Sequence, residues 1–317
     1  MNAAENRPHE KRMFGRELTN LPIYDHIKQK EEHCIPIKPP IVEIKMEEKM
    51  YDVPTIADPI LEYSDDIYKV LKATETKYMP HPNFMKIQTD INERMRSILI
   101  DWLVEVHLKF KLLPETLYLT ASLIDRYLEK KVVLRQKLQL VGVTAMLIAC
   151  KYEEIYSPEV KDFVYITDKA YQKEEILAME IDILQALEFN ITMPSSWRFL
   201  QHYAKLIGYD KGIEFYLSEY LIELGLLNCK MLKYNPSMMA CGALYLTMKI
   251  TKKPVAWPSC IKYTENEIRQ CAKDLCSELQ NSEKMNEKAE KGALRALRKK
   301  FSVPKYYEVS KIKLEIN

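Results

Sequence analysis

The chain has 317 residues, a formal net charge of +2 and 47% hydrophobic residues, which is enough for about two domains with real cores and gives no general attraction to nucleic acid. Only seven glycines are present, so phosphate-cradling glycine loops and frequent tight β-turns are nearly excluded and an all-α fold is expected. Seven scattered cysteines without a Cys-x-x-Cys pair fit reduced thiols in cytosol or nucleus rather than a disulfide framework or a zinc ribbon.

Residues 1–57 hold six of the sixteen prolines, mixed charges and no sustained periodicity, and read as a flexible tail. No apolar signal run opens the chain and no segment reaches the roughly 20 residues of a membrane span, so a soluble intracellular protein is expected. Order is expected from Asp58-Pro59, with Ile60, Tyr63, Ile67, Val70, Leu71 and Thr74 on one face of an amphipathic helix. Asp90 and Glu93 have the spacing of a capping box for a helix that runs to Phe110. Arg96 and Asp101 fall inside its apolar run, where a buried charge needs a partner. A further helix follows Pro114 and ends near Glu129.

Leu138–Lys151 is charged only at its last residue, too short for a bilayer and apolar on every side, as suits the central helix of a bundle. Gly142, Ala145 and Ala149 form a small-residue stripe along it, and its two ends stand about 21 Å apart. Ser157-Pro158 is expected to cap a short helix, and Lys173–Leu187 forms a fifth. A linker at 190–196 precedes a helix capped by Ser195 or Ser196, and Asn235-Pro236 repeats the cap-plus-proline device. After Gln280 the chain is basic, and a surface helix with a solvated face is expected.

A shift of 98 residues superposes Tyr118, Leu119, Leu123, Ile124 and Asp125 on Tyr216, Leu217, Leu221, Ile222 and Glu223. The same shift places Ala145, Leu147 and Lys151 on Ala243, Tyr245 and Lys249, and Leu177, Glu180 and Ile181 on Leu275, Glu278 and Leu279. One offset across three helices implies two tandem five-helix bundles, 58–189 with the preceding helix and 197–317 with the terminal one.

No phosphate loop, nucleophile elbow, metalloprotease helix or kinase glycine loop occurs, so the chain reads as a binding protein rather than an enzyme, without cofactor or metal. The strings MRSILIDWLVEVH, ETLYLTASLIDRYL, LQLVGVTAMLIACKYEEIYSPEV and FVYITDKAY resemble the cyclin box of mitotic cyclins over roughly residues 60–300, with VGVTAM leaning toward the B-type. The resemblance implies the tandem five-helix fold. It also implies a non-catalytic subunit that activates a cyclin-dependent kinase and recruits its substrates in mitotic control, in nucleus and cytoplasm. Two-repeat transcription factors that bind DNA share the fold, but they usually carry a zinc ribbon and a strongly basic surface, and neither is present here.

Three residue sets follow from the resemblance. Arg96 and Asp125 match a buried structural pair. Ile67, Lys151, Tyr152, Glu180 and Phe189 match the face that holds a kinase of the PSTAIRE type. Read from the residues alone, Lys151 and Glu180 could form nothing more than a surface ion pair. Met95, Ile98, Leu99, Trp102, Glu105, Leu138 and Gln139 match a cleft for Arg-x-Leu motifs of substrates and inhibitors, where core packing is the alternative for an apolar stripe. Ser97 departs from the alanine expected there. Arg12–Asn20 departs further from a destruction box, and two readings stay open: a degenerate signal for a ubiquitin ligase, or a chance match in a tail.

Overall fold

The computed structural model describes residues 63–254, 257–287 and 294–312. The described residues from Asp66 onward form one compact unit. The expected tail, the Asp58-Pro59 start and the Arg12–Asn20 motif lie outside the described residues. Among those described, eleven α-helices and no strand occur, and no helix is long and apolar enough to cross a membrane.

Helix α1 is Ser64–Thr74, and the first bundle follows it as α2 Glu93–Phe110, α3 Pro114–Lys130, α4 Arg135–Glu153, α5 Val160–Ile166 and α6 Lys173–Ala186. The second holds α7 Ser196–Leu206, α8 Ile213–Leu226, α9 Pro236–Thr251, α10 Glu265–Glu287 and the short α11 Ala296–Lys300. The 98-residue offset carries the ranges of α3, α4 and α6 onto those of α8, α9 and α10.

Helix α4 is the hub. Every residue from Leu140 to Cys150 is buried, as is Leu138, so the helix is enclosed on all sides. The small-residue stripe works as expected: a β-carbon added at Gly142 would stand 2.7 Å from Leu99 Cδ1, so glycine is what lets α2 lie this close. Two caps differ from expectation. Asn92, not Asp90, caps α2 by accepting from the Met95 N–H, because Asp90 is taken by the backbone N–H and Nε of Arg135. Helix α5 is capped by Glu159 and Asp162, which bond each other's backbone in a capping box, and Ser157 stays outside it.

Helix α1 packs by a face other than the expected one. Tyr68 stacks on His202 at 4.6 Å and donates to the Cys260 carbonyl, and Lys72 donates to Ser237 and Tyr263, so α1 lies on the second bundle. Ile67 and Val70 are left exposed.

Charged groups stitch the bundles together. Asp101 accepts from the backbone N–H groups of Arg295, Ala296 and Leu297, which is the partner its position demanded. Lys300 corrects the expectation of a solvated terminal helix: it is 3% exposed and paired with Glu223 at 2.5 Å. Glu219, one turn before Glu223 and also buried, has its pKa pushed up to about 7 by burial and by the Glu223 charge, against the pull of Lys300 and Lys305. A carboxyl group raised in the folded state binds more protons folded than unfolded, so stability falls as pH rises from about 4.5 to 7 and the full penalty is present above 7. Glu219→Gln should therefore raise the unfolding free energy at pH 8, by on the order of 1–2 kcal/mol, with a correspondingly higher melting temperature, and lose that advantage at pH 5. Melting curves at the two pH values check this.

Candidate functional site: an exposed apolar face around an ion pair

The C-terminal end of α4 and the adjoining edge of α6 carry the first site. Lys151 Nζ donates to both carboxylate oxygens of Glu180, at 2.7 and 2.9 Å. Both partners are reachable by solvent, so the pair alone contributes about 0–1 kcal/mol to stability. Exposed apolar side chains stand on the same segments. Tyr152 lies in the last turn of α4, Ile155 and Tyr156 follow in the loop at 90% and 92% exposure, Ile181 neighbours Glu180 on α6, and Phe189 follows its end at 67%. Single exposed apolar residues are ordinary, whereas five on adjoining segments around the C-terminal end of α4 and along α6 are more than scattered exposure accounts for.

The backbone holds this face in place. Glu154 accepts from the Leu113 N–H at 2.7 Å and from the Thr116 hydroxyl, pinning the loop's base to the start of α3. The Tyr152 hydroxyl is hydrogen-bonded to that of Thr192 in the connection between the bundles. Glu188 and Phe189 both adopt left-handed backbone, at φ +53° and +57°, which is uncommon for residues with a β-carbon, and the Phe189 N–H donates to the Leu184 carbonyl. That turn directs the chain away from α6 and leaves the Phe189 ring in solvent.

Of the five residues expected here, Lys151, Tyr152, Glu180 and Phe189 fall together. Ile67 is exposed as well, but it stands on α1, whose polar contacts are with the second bundle. Sequence reasoning passed over Ile155, Tyr156 and Ile181. The signal for the first two was available, since an apolar pair in a connection between helices has no packing duty to explain it.

Arg96 and Asp125 form a fully buried bidentate pair, Nε to Oδ1 at 2.5 Å and Nη2 to Oδ2 at 2.6 Å. Arg96 also donates from Nη1 to the Leu226 carbonyl at the end of α8, and the Ser97 hydroxyl donates to the Leu227 carbonyl. The pair thus ties α2 to α3 and the first bundle to the second, a reach the sequence did not show.

The expected peptide cleft is more closed than its residue list. Leu99 and Leu138 have no exposed surface and Trp102 has 7%, because α2 and α4 meet there over Gly142. For these three the burial fits the core-packing alternative rather than an open lining. Met95, Ile98 and Gln139 are half-buried and Glu105 is exposed, so the reachable part is narrow. Partial burial raises the Glu105 pKa, and the nearby Lys299 charge opposes the rise. Replacing Met95, Leu99 and Trp102 together by Ala would unfold the protein, since a buried Leu or Trp truncated to Ala costs about 2–5 kcal/mol each.

The chain matches the Cyclin, N-terminal domain family over residues 66–192 and the Cyclin, C-terminal domain family over residues 194–315. It is 41% identical to Cyclin-B2-2 of Oryza sativa subsp. indica, 43% to G2/mitotic-specific cyclin-B of Marthasterias glacialis and 45% to Cyclin-B1-4 of Arabidopsis thaliana. These alignments cover 78%, 79% and 79% of the chain but 58%, 63% and 64% of the relatives, so the chain spans about three-fifths of their length. In fold it is similar to a viral cyclin from herpesvirus saimiri, with a TM-score of 0.58 at 22% identity over 67% of this chain and 97% of that one.

Proposed function

This chain belongs to the cyclin family and is similar to its B-type mitotic members, and on that premise we propose that it is a regulatory subunit that binds and activates a cyclin-dependent kinase in mitotic control. The observation that carries the reading is the apolar face around Lys151 and Glu180, which is built, pinned and uncovered. Tyr152, Ile155, Tyr156, Ile181 and Phe189 supply the area that drives association, and the two charged groups supply orientation. Their partner is the backbone of a mobile kinase helix of the PSTAIRE type. By binding the active arrangement of that helix better than the inactive one, the chain shifts the kinase toward activity without chemistry of its own.

The narrower surface at Met95, Ile98, Gln139 and Glu105 takes Arg-x-Leu segments of substrates and inhibitors, with the arginine competing with Lys299 for Glu105. Met95→Ala with Gln139→Ala should weaken binding of such a peptide about tenfold while leaving kinase binding and melting unchanged, since both residues are only half-buried. Peptide titration and a melting curve on the same variant check it. The function itself is tested by purifying the tagged chain from dividing cells and identifying what accompanies it. A cyclin-dependent kinase at equal stoichiometry is the expected result, and a preparation without any kinase would overturn the reading.

A further inference from the structure

Residues 154–159, between α4 and α5, carry no regular secondary structure and contain Ser157-Pro158. Among the sixteen prolines of the chain, this is the only one preceded by Ser or Thr. The loop has the shape of a phosphoacceptor segment. Glu154 at its start (φ −90°, ψ 139°) and Glu159 at its end (φ −79°, ψ 157°) are extended, and a residue before proline is held extended too. Both ends are fixed, by Glu154 on α3 and by the α5 capping box, so the segment projects from a rigid base. Ser157 is half-buried and its hydroxyl donates to the adjacent Pro158 carbonyl, at 3.2 Å, so freeing it breaks no contact between elements.

We propose that Ser157 is a phosphorylation site for a proline-directed protein kinase, and that phosphate there closes the partner face. The proposal rests on the reading of that face given above. In the step, Ser157 Oγ attacks the γ-phosphorus of ATP, the bond to the bridging oxygen breaks, ADP leaves, and the hydroxyl proton passes to the modifying enzyme's base. The product adds roughly −1.5 to −2 charge at neutral pH. Its surroundings give that charge no home. Glu153, Glu154, Glu159 and Asp162 flank it, while Lys151 is engaged by Glu180 and Lys161 by Glu159 at 2.8 Å. The phosphate would sit next to Ile155 and Tyr156, the most exposed apolar side chains of the face, where docking would have to strip it of water. Because Ser157 lies outside the core, the modification acts on association and not on folding.

The test uses the full chain, a purified proline-directed kinase, labelled ATP and mass-spectrometric mapping. Incorporation at Ser157 that is lost in Ser157→Ala and in Pro158→Ala is the expected result. An unlabelled Ser157, or labelling that persists in Pro158→Ala, overturns the assignment. The phosphorylated chain and Ser157→Asp should then bind a PSTAIRE-type kinase at least tenfold more weakly than the unmodified chain, with unchanged melting, while Ser157→Ala binds normally. Equal affinity of both forms overturns the switch alone. An unmodified chain that binds no kinase overturns the reading of the face, and the switch with it.

Discussion

Replacing Arg96 by Leu should lower the unfolding free energy by about 3–5 kcal/mol, because Asp125 would be left ionised and buried without a partner. At 2–4 °C per kcal/mol for a chain of this class, the melting temperature should drop by roughly 6–20 °C. The same change frees the Leu226 carbonyl, so the loss should appear in contacts between the bundles as well as inside the first. A double-mutant cycle isolates the interaction. Arg96→Leu with Asp125→Leu should be much less destabilised than either single change, since replacing both partners by apolar groups removes the charge as well as the pair. Single changes that cost under 1 kcal/mol, or a double change that costs their sum, would show that the pair does not hold the bundles together.

The second large effect is expected on binding, with no effect on stability. Ile155 and Tyr156 are almost wholly in solvent, so Ile155→Ser with Tyr156→Ser should leave the melting curve in place. The same double change should weaken kinase binding by about 2 kcal/mol or more if these residues anchor the interface. Unchanged affinity would move the anchor elsewhere on the face, to Phe189 and Ile181.

Much of this architecture was legible in the sequence, for identifiable reasons. The hub helix announced itself because a run of thirteen uncharged residues has no amphipathic alternative, and the tandem bundles followed from a repeat with a single offset. Arg96 and Asp101 stand in an apolar run and so need partners, but those partners come from distant parts of the chain. Asp125 was reachable by resemblance. The Leu226 carbonyl and the amides of residues 295–297 were not, because backbone groups leave no mark in a residue pattern. Lys300 misled for a related reason: a basic segment reads as solvated until the Glu223 that buries it is in place. For the stripe Met95, Leu99 and Trp102, spacing cannot tell a buried side chain from an exposed one, and Leu99 is closed off by its fit over Gly142.

We propose above that this chain switches on a kinase through the face built on Lys151 and Glu180. The most direct measurement titrates an inactive PSTAIRE-type kinase with the purified chain and follows phosphoryl transfer to a generic peptide lacking any docking motif. The wild-type chain should produce saturable activation. Lys151→Ala with Glu180→Ala should melt within a few degrees of wild type, because both charges are removed together and the Lys151 end of the pair is solvated. That variant should nevertheless need about 30-fold more chain for half-maximal activation, the equivalent of about 2 kcal/mol. Activation by the variant at the wild-type concentration, or none by the wild-type chain, would contradict the account.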